Sequence, residues 1–348
     1  MKKIPALTFG SAMVDTIAVL ASDSIEHLSL SNAHQQFLLV EPGRKVEAQA
    51  ITTDIGGGAL NTAVSLSLLG CAAAPVVKTG NDASRAHVLE HCNNFQLDVS
   101  CILEDAADST GSAVMIASHD KNAAIFTNRG SNTRLINSDI EALSFTDLDL
   151  IHAAPLSGDS ALMLPTIAKL AEDHGAFFST NPGIRQITTR TNSVFTAAKS
   201  MSLISINSLE AIALIPSLSA LSGDLDWGCP DKDEPCLDSQ GGKIGLRKFC
   251  EALSDHGPKN VLVTYGSDGA YLYSDGELHH QPIISAKVAG TAGAGDSFVS
   301  TLAWALQSKY SPQDAMCLAA YNASSVVSFV NTTDGLLSND ALIARAGL

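Results

Sequence analysis

Gly290-Thr291-Ala292-Gly293-Ala294-Gly295-Asp296-Ser297-Phe298 is the stretch on which the reading of the chain turns. Its glycines leave the backbone free to aim successive N–H groups at one point. The run that follows, Val299 to Leu306, is apolar enough for a buried helix. A glycine-rich turn opening onto a helix start is an anion site, because unpaired N–H groups and the helix dipole both favour negative charge. Asp296 stands at that start, where its carboxylate can take a hydroxyl proton while the neighbouring amides hold a phosphoryl group. Phosphoryl transfer to an alcohol needs that combination of cradle and base. An Asp that merely caps the helix would look the same in isolation, so the rest of the chain has to decide.

The bulk composition narrows the field. A chain of 348 residues, 45% apolar and 16% charged, suits one large α/β domain. A net charge of -15 argues against nucleic acid or an anionic membrane as partner, since both are bound through clustered Lys and Arg. The count of 7 cysteines, with no Cys-x-x-Cys, predicts reduced thiols in a cytoplasm, Cys229 and Cys236 included. The opening Met1-Lys2-Lys3 faintly imitates a signal peptide, but Gly10, Ser11 and Asp15 break the apolar run, and no stretch is long enough to span a membrane.

Outward from the central stretch, the pattern alternates between strands and helices. Ala6 to Gly10 reads as a strand that delivers Ser11 and Asp15. Gly56-Gly57-Gly58-Ala59-Leu60-Asn61 opens a second helix, closed by Gly70, and matches neither the Rossmann nor the P-loop glycine spacing. Strands are predicted over 74–80, 148–153, 176–180, 202–206 and 260–264, with helices between, and a hairpin turns at Ser274-Asp275-Gly276. His87 and His91 have a spacing that could hold a metal, without an evident third ligand. Segments 16–55 and 112–128 read as strands outside the main sheet, and 221–242 as a surface insertion.

Polar residues recur where strands end or helices begin: Asp15, Asn61, Asn181, Asn207, Glu210, Gly266 and Asp296. In open α/β sheets such positions share one cleft. Asn207 and Glu210, three residues apart at a helix start, could hold Mg²⁺ through waters or form a capping box.

These motifs, in this order, resemble the PfkB/ribokinase family of carbohydrate and nucleoside kinases over nearly the whole chain. They are Gly10-Ser11 with Asp15, Gly56 to Ala63, Asn181-Pro182-Gly183, Asn207-x-x-Glu210, Thr264-x-Gly266-x-x-Gly269 and Gly293-Ala294-Gly295-Asp296. The resemblance implies a doubly wound, mostly parallel sheet with helices on both faces and a small β lid, all in residues 1–348. It implies ATP and Mg²⁺ as well. Asp296 would be the base, with Ala292, Gly293, Ala294 and Gly295 as anion hole. Asp15, Gly57, Gly58 and Asn61 would hold the sugar. Asn181, Thr264, Gly266 and Gly269 would line the ATP site, with Asn322 near the adenine and Asn207 and Glu210 at the metal. A homodimer through the lid is a further expectation.

One departure stands out: Gly290 occupies the position where the family usually has an Asp, which puts activation by K⁺ in doubt. A small sugar is the expected acceptor. A nucleoside, with Phe37 and Phe126 against its base, is the alternative, and a catalytically silent ligand-binding relative the third reading.

Overall fold

A computed structural model describes residues 3–20, 26–30, 35–39, 43, 45–118, 123–223, 228–229, 235–239 and 241–348. The strands of the first half are β1 (Ile4–Phe9), β2 (Met13–Leu20), β3 (Glu26–Leu30), β4 (Gln35–Leu39), β5 (Ala48–Gly56), β6 (Cys71–Gly80), β7 (Ile102–Asp105), β8 (Gly111–Ser118) and β9 (Ala123–Asn128). Those of the second are β10 (Leu150–Ala153), β11 (Phe177–Thr180), β12 (Leu203–Asn207), β13 (Cys236–Ser239), β14 (Gly242–Gly245), β15 (Asn260–Thr264), β16 (Ala270–Ser274) and β17 (Glu277–Gln281). Between them run α1 (Gly58–Leu68), α2 (Ala83–Asn94), α3 (Asn137–Glu141), α4 (Leu164–His174), α5 (Ile184–Thr189) and α6 (Thr191–Ala198). The later helices are α7 (Ser208–Ser222), α8 (Leu246–Ser254), α9 (Ala294–Gln307), α10 (Pro312–Val326) and α11 (Asn339–Ala346).

The main sheet has the order β17-β16-β15-β12-β11-β10-β1-β6-β7. From β15 to β7 every pairing is parallel, and β16 and β17 close one edge as an antiparallel hairpin. Its turn puts Asp275 and Gly276 at φ 51 and 83, the conformation that the Asp-Gly pair foreshadowed. Strand residues alternate between two cores. Leu7, Phe9, Ile151, Phe178, Ile204 and Val261 face the layer of α4, α6, α7 and α8. Ala6, Leu150, Leu203 and Leu262 face α1, α2, α9 and α10. That period of two, buried on both sides, is what a doubly wound sheet requires.

A second sheet, in the order β5-β2-β8-β9, is the lid. Its junction with the main sheet lies at Ala12, whose N–H donates to Asn132 Oδ1 and whose carbonyl accepts from Asn132 Nδ2, both at 2.8 Å. Asn132 is buried, so this peptide-like pairing holds the lid at its root.

The insertion differs from its sequence reading. Residues 221–222 finish α7, and β13 pairs with β14 as an antiparallel hairpin. A disulfide joins Cys229 to Cys236, Cα atoms 6.0 Å apart, where free thiols were expected. Gly228 bridges to Ile244 of β14, which brings Cys229 within bridging distance of Cys236, a proximity that spacing alone does not reveal.

Candidate active site

The chain leaves β1 toward β6 on one side and reaches β10 on the other, so the carboxyl ends of β1 and β10 form the switch point where open α/β sheets bind ligands. Ser11, just past β1, caps α1: its carbonyl accepts from Ala59 N–H and its hydroxyl from Gly58 N–H, both at 3.2 Å. Gly57 enters the helix at φ +102, and a Cβ there would lie 2.4 Å from the Ser11 carbonyl oxygen. Only glycine fits that approach. The helix then points Asn61 at α9.

The start of α9 is equally tight. Gly293 takes φ +78, and a Cβ on it would lie 2.9 Å from Thr332 Cα. Ser297 N–H bonds back to Gly293 O at 2.9 Å, while the amides of Gly295 and Asp296 have no acceptor among the described residues. These are the orphan donors of a helix start, free to hold an anion. Asp296 Oδ2 accepts from Asn61 Nδ2 at 2.8 Å, and Asn61 Oδ1 accepts from the Thr332 hydroxyl at 2.8 Å. The other oxygen, Oδ1, lies 3.9 Å from where a Cβ of Gly58 would stand. Burial pushes the Asp296 carboxyl up to about 6, with the Asn61 hydrogen bond pulling the other way. A carboxylate so tuned is a competent base near neutral pH.

Opposite Asp296 opens a cavity of about 140 Å³ lined by Asn181, Ser205, Ile206, Asn207, Glu210, Thr264, Gly295, Asp296 and Phe298. Residues predicted from four separate stretches thus meet in one place. Asn207 and Glu210 form the capping box outright: each side chain accepts from the other's N–H at 2.9 Å. Burial raises the Glu210 carboxyl above its usual range, and the N–H groups of Asn207 and Ile184 lower it again. Capping leaves Glu210 on the cavity wall. Among the described residues no group of His, Cys, Asp and Glu could cage a metal by itself.

At the lid end, Asp15 stands directly across from Asp54 in the β2–β5 pairing. Burial, and then the Asp54 charge, raise the Asp15 carboxyl, and Asp54 is raised by burial and by Asp334. The Cβ position of Gly56 lies 3.1 Å from Asp15 Oδ2, 3.5 Å from Thr332 Oγ1 and 3.7 Å from Asn61 Oδ1, so these groups converge. Sequence reading missed Asp54, Thr332, Ser205 and Phe298. Thr332 could have been suspected from the polar run Asn331-Thr332-Thr333-Asp334-Gly335; for the others no local signal exists.

Several expected residues lie elsewhere. Asn322 is fully buried, with Nδ2 donating to Thr301 Oγ1 at 2.8 Å and Oδ1 accepting from Leu337 N–H at 2.9 Å, so its amide ties α10 to α9 and to the segment before α11, outside the cavity lining. Gly266 and Gly269 form the turn after β15, outside the cavity lining. Phe126 pairs with Val114 and through it with Thr16, which puts it on the lid face opposite Asp15. Phe37 falls where side chains lie outside the described residues. His91 packs its ring 5.0 Å from Phe95. At Gly290 no carboxylate is present; a Cβ there would stand 3.0 Å from the Phe329 carbonyl oxygen.

Comparison with known proteins places this geometry. The model of the pfkB family of carbohydrate kinases matches residues 15–339. The bifunctional ribokinase/ribose-5-phosphate isomerase A of Fructilactobacillus sanfranciscensis is 21% identical over 307 residues, 87% of this chain; the chain spans about half of that relative, 52% of its length. Arabidopsis thaliana ribokinase, solved with ribose and ATP, superposes with a TM-score of 0.74 at 21% identity, covering 99% of both chains. Burkholderia thailandensis nucleoside kinase, solved with inosine, gives 0.71 at 16% identity, over 98% of this chain and 96% of that one.

Proposed function

The chain belongs to the pfkB family of carbohydrate kinases, and on that premise we propose that it transfers the γ-phosphoryl group of Mg-ATP to a hydroxyl of a small neutral sugar. The observation that carries this reading is that one cavity is lined by Asp296 and Gly295, whose helix-start amides are unpaired, together with Asn207, Glu210, Asn181 and Thr264.

In this reading Asp296 Oδ1 takes the proton from the attacking hydroxyl, worth roughly 10²–10⁴ in rate. The helix-start amides hold the charge of the group in flight, with Gly293 and Ala294 shaping the turn that aims them. Asn207 and Glu210 would hold Mg²⁺, which would neutralise phosphate charge where the residues lining the cavity include no Lys or Arg. Asp15, Gly57, Gly58 and Asn61 sit where the acceptor's hydroxyls would be oriented. With Asp15, Asp54 and Asp334 at that end, a neutral acceptor is favoured over a carboxylated or phosphorylated one, which like charges would repel.

A nucleoside is the second reading, and one observation favours it. Met115 and the exposed Ile125 pair with Ile17 on the same lid face as Asp15, an apolar surface next to the sugar position. The deciding experiment is ADP release with Mg-ATP against neutral sugars, acid sugars, sugar phosphates and nucleosides. Turnover on a neutral sugar supports the proposal, turnover on nucleosides alone transfers it to the second reading, and ATP binding without any transfer leaves only a silent relative.

The lid also offers a surface for a second copy of the chain. Ile51, Val114 and Phe126, exposed by 68%, 45% and 61%, share its outer face by register. An apolar sheet face of this kind is buried by association in most soluble proteins, and a homodimer through the lid is the assembly we assign to it.

A further inference from the structure

Two hydrogen bonds tie α1 to α9, one helical turn apart on both helices. The first joins Asn61 to Asp296; four residues further along each helix, the hydroxyls of Ser65 and Ser300 meet at 2.8 Å. Both serines are fully buried. Ser300 Oγ also lies 2.7 Å from the carbonyl oxygen of Asp296 and 3.2 Å from that of Ser297. Ser300 is the donor to Ser65, and it shares its one proton with the carbonyl of Asp296, so a single hydroxyl ties α1 to the main chain of Asp296.

We propose that Ser65 and Ser300 are positioning residues for the transfer reaction, holding the main chain of Asp296 and the register of α1 against α9 so that the Asn61 amide meets Oδ2 and leaves Oδ1 facing the cavity. The inference rests on Asp296 being the base. Its physical ground is that nothing else requires these hydroxyls. Alanine fits the same space, is the better helix former, and replacing both partners of a buried hydrogen bond by apolar groups is close to neutral for stability. A buried polar pair kept at such a place serves orientation. The other charged groups around Asp296 are Glu210, across the cavity on α7, and Asp15, beyond Asn61 on β2; neither hydrogen-bonds to the serines.

Four proteins test the idea: the unsubstituted chain, Ser65→Ala, Ser300→Ala and the double variant. Each is measured for kcat and KM, the acid limb of kcat against pH, melting temperature, and the Asp296 carboxyl titration by ¹³C NMR, assigned by its loss in Asp296→Asn. The expected result for the double variant is a fall in kcat of about tenfold, because a base displaced by a fraction of an ångström loses its aim. KM and melting temperature should hold, and the acid limb and the carboxyl titration should move together to higher pH as the Asn61 bond loosens. The two single effects should not add, since each breaks the same chain of bonds. A double variant with unchanged kcat and unchanged titration overturns the proposal. If the unsubstituted protein transfers no phosphoryl group to any acceptor, the assigned reaction fails, and the NMR titration still decides whether the serines position Asp296: an unmoved midpoint sinks that too.

Discussion

Thr332 donates a hydrogen bond of 2.8 Å to Asn61 Oδ1, and this contact between residues 271 positions apart holds the Asn61 amide with its Nδ2 toward Asp296. With Oδ1 held by Thr332, Nδ2 is left to donate to the carboxylate. A flipped amide would set oxygen against oxygen. Thr332→Val removes the hydroxyl at nearly constant shape, so kcat should fall several-fold while KM for ATP holds. Unchanged kcat would show that the carboxylate alone orients the amide.

Asp296→Asn should lower kcat by roughly 10²–10⁴, the usual worth of a general base, and leave nucleotide binding measurable by calorimetry. Near-normal turnover in this variant would remove Asp296 from the chemistry.

The Asp296 carboxyl, pushed up to about 6, also predicts two pH dependences. As a base it must be ionised, so kcat should rise with pH through about 6 and level above it. For stability the sign is opposite: a carboxyl raised in the folded state favours its protonated form, so folding is penalised as pH rises from the ordinary carboxylate range through the raised value. Asp296→Asn lacks that penalty. Its melting temperature should exceed the parent's above pH 6 and converge with it in acid. An equal gap at every pH would contradict the burial of the charge.

Glu210→Gln separates the cap from the metal. Gln completes a capping box as Glu does, so the melting temperature should barely change, whereas the Mg²⁺ concentration needed for half-maximal rate should rise by about tenfold, the order seen when a metal site loses a supporting group. An unshifted Mg²⁺ requirement would reduce Glu210 to a helix cap.

Phe126→Lys and Val114→Lys put charges on the outer face of the lid without touching the face that carries Asp15. Light scattering should find a dimer in the parent chain and a monomer in the double variant. A monomeric parent would show that this face has another use.

Most of the frame was legible in the sequence because it is written in local rules. The Gly293-Ala294-Gly295-Asp296 turn, Gly57 at its positive φ and the Asp275-Gly276 hairpin each follow from what glycine permits and what helix starts need. The alternation of strands at 148–153 and 202–206 with helices between reports a doubly wound sheet, and the structure has β10 and β12 there. Asn322 misled because a polar residue in a late helix is equally consistent with lining a ligand and with joining Thr301 to Leu337; only packing distinguishes the two.

By itself, then, the sequence determined where helices begin, which turns need glycine, and that Asp296 and a glycine-rich turn share one helix start, since these depend on neighbours a few residues away. Tertiary structure alone decided that Thr332 orients Asn61, that Asp54 faces Asp15, that Ser65 meets Ser300, that Phe126 lies on the outer face of the lid, and that Cys229 pairs with Cys236. The physical reason is that hydrogen bonds and strand register form between surfaces brought together by burying two cores at once, and no local pattern encodes which residues then face each other.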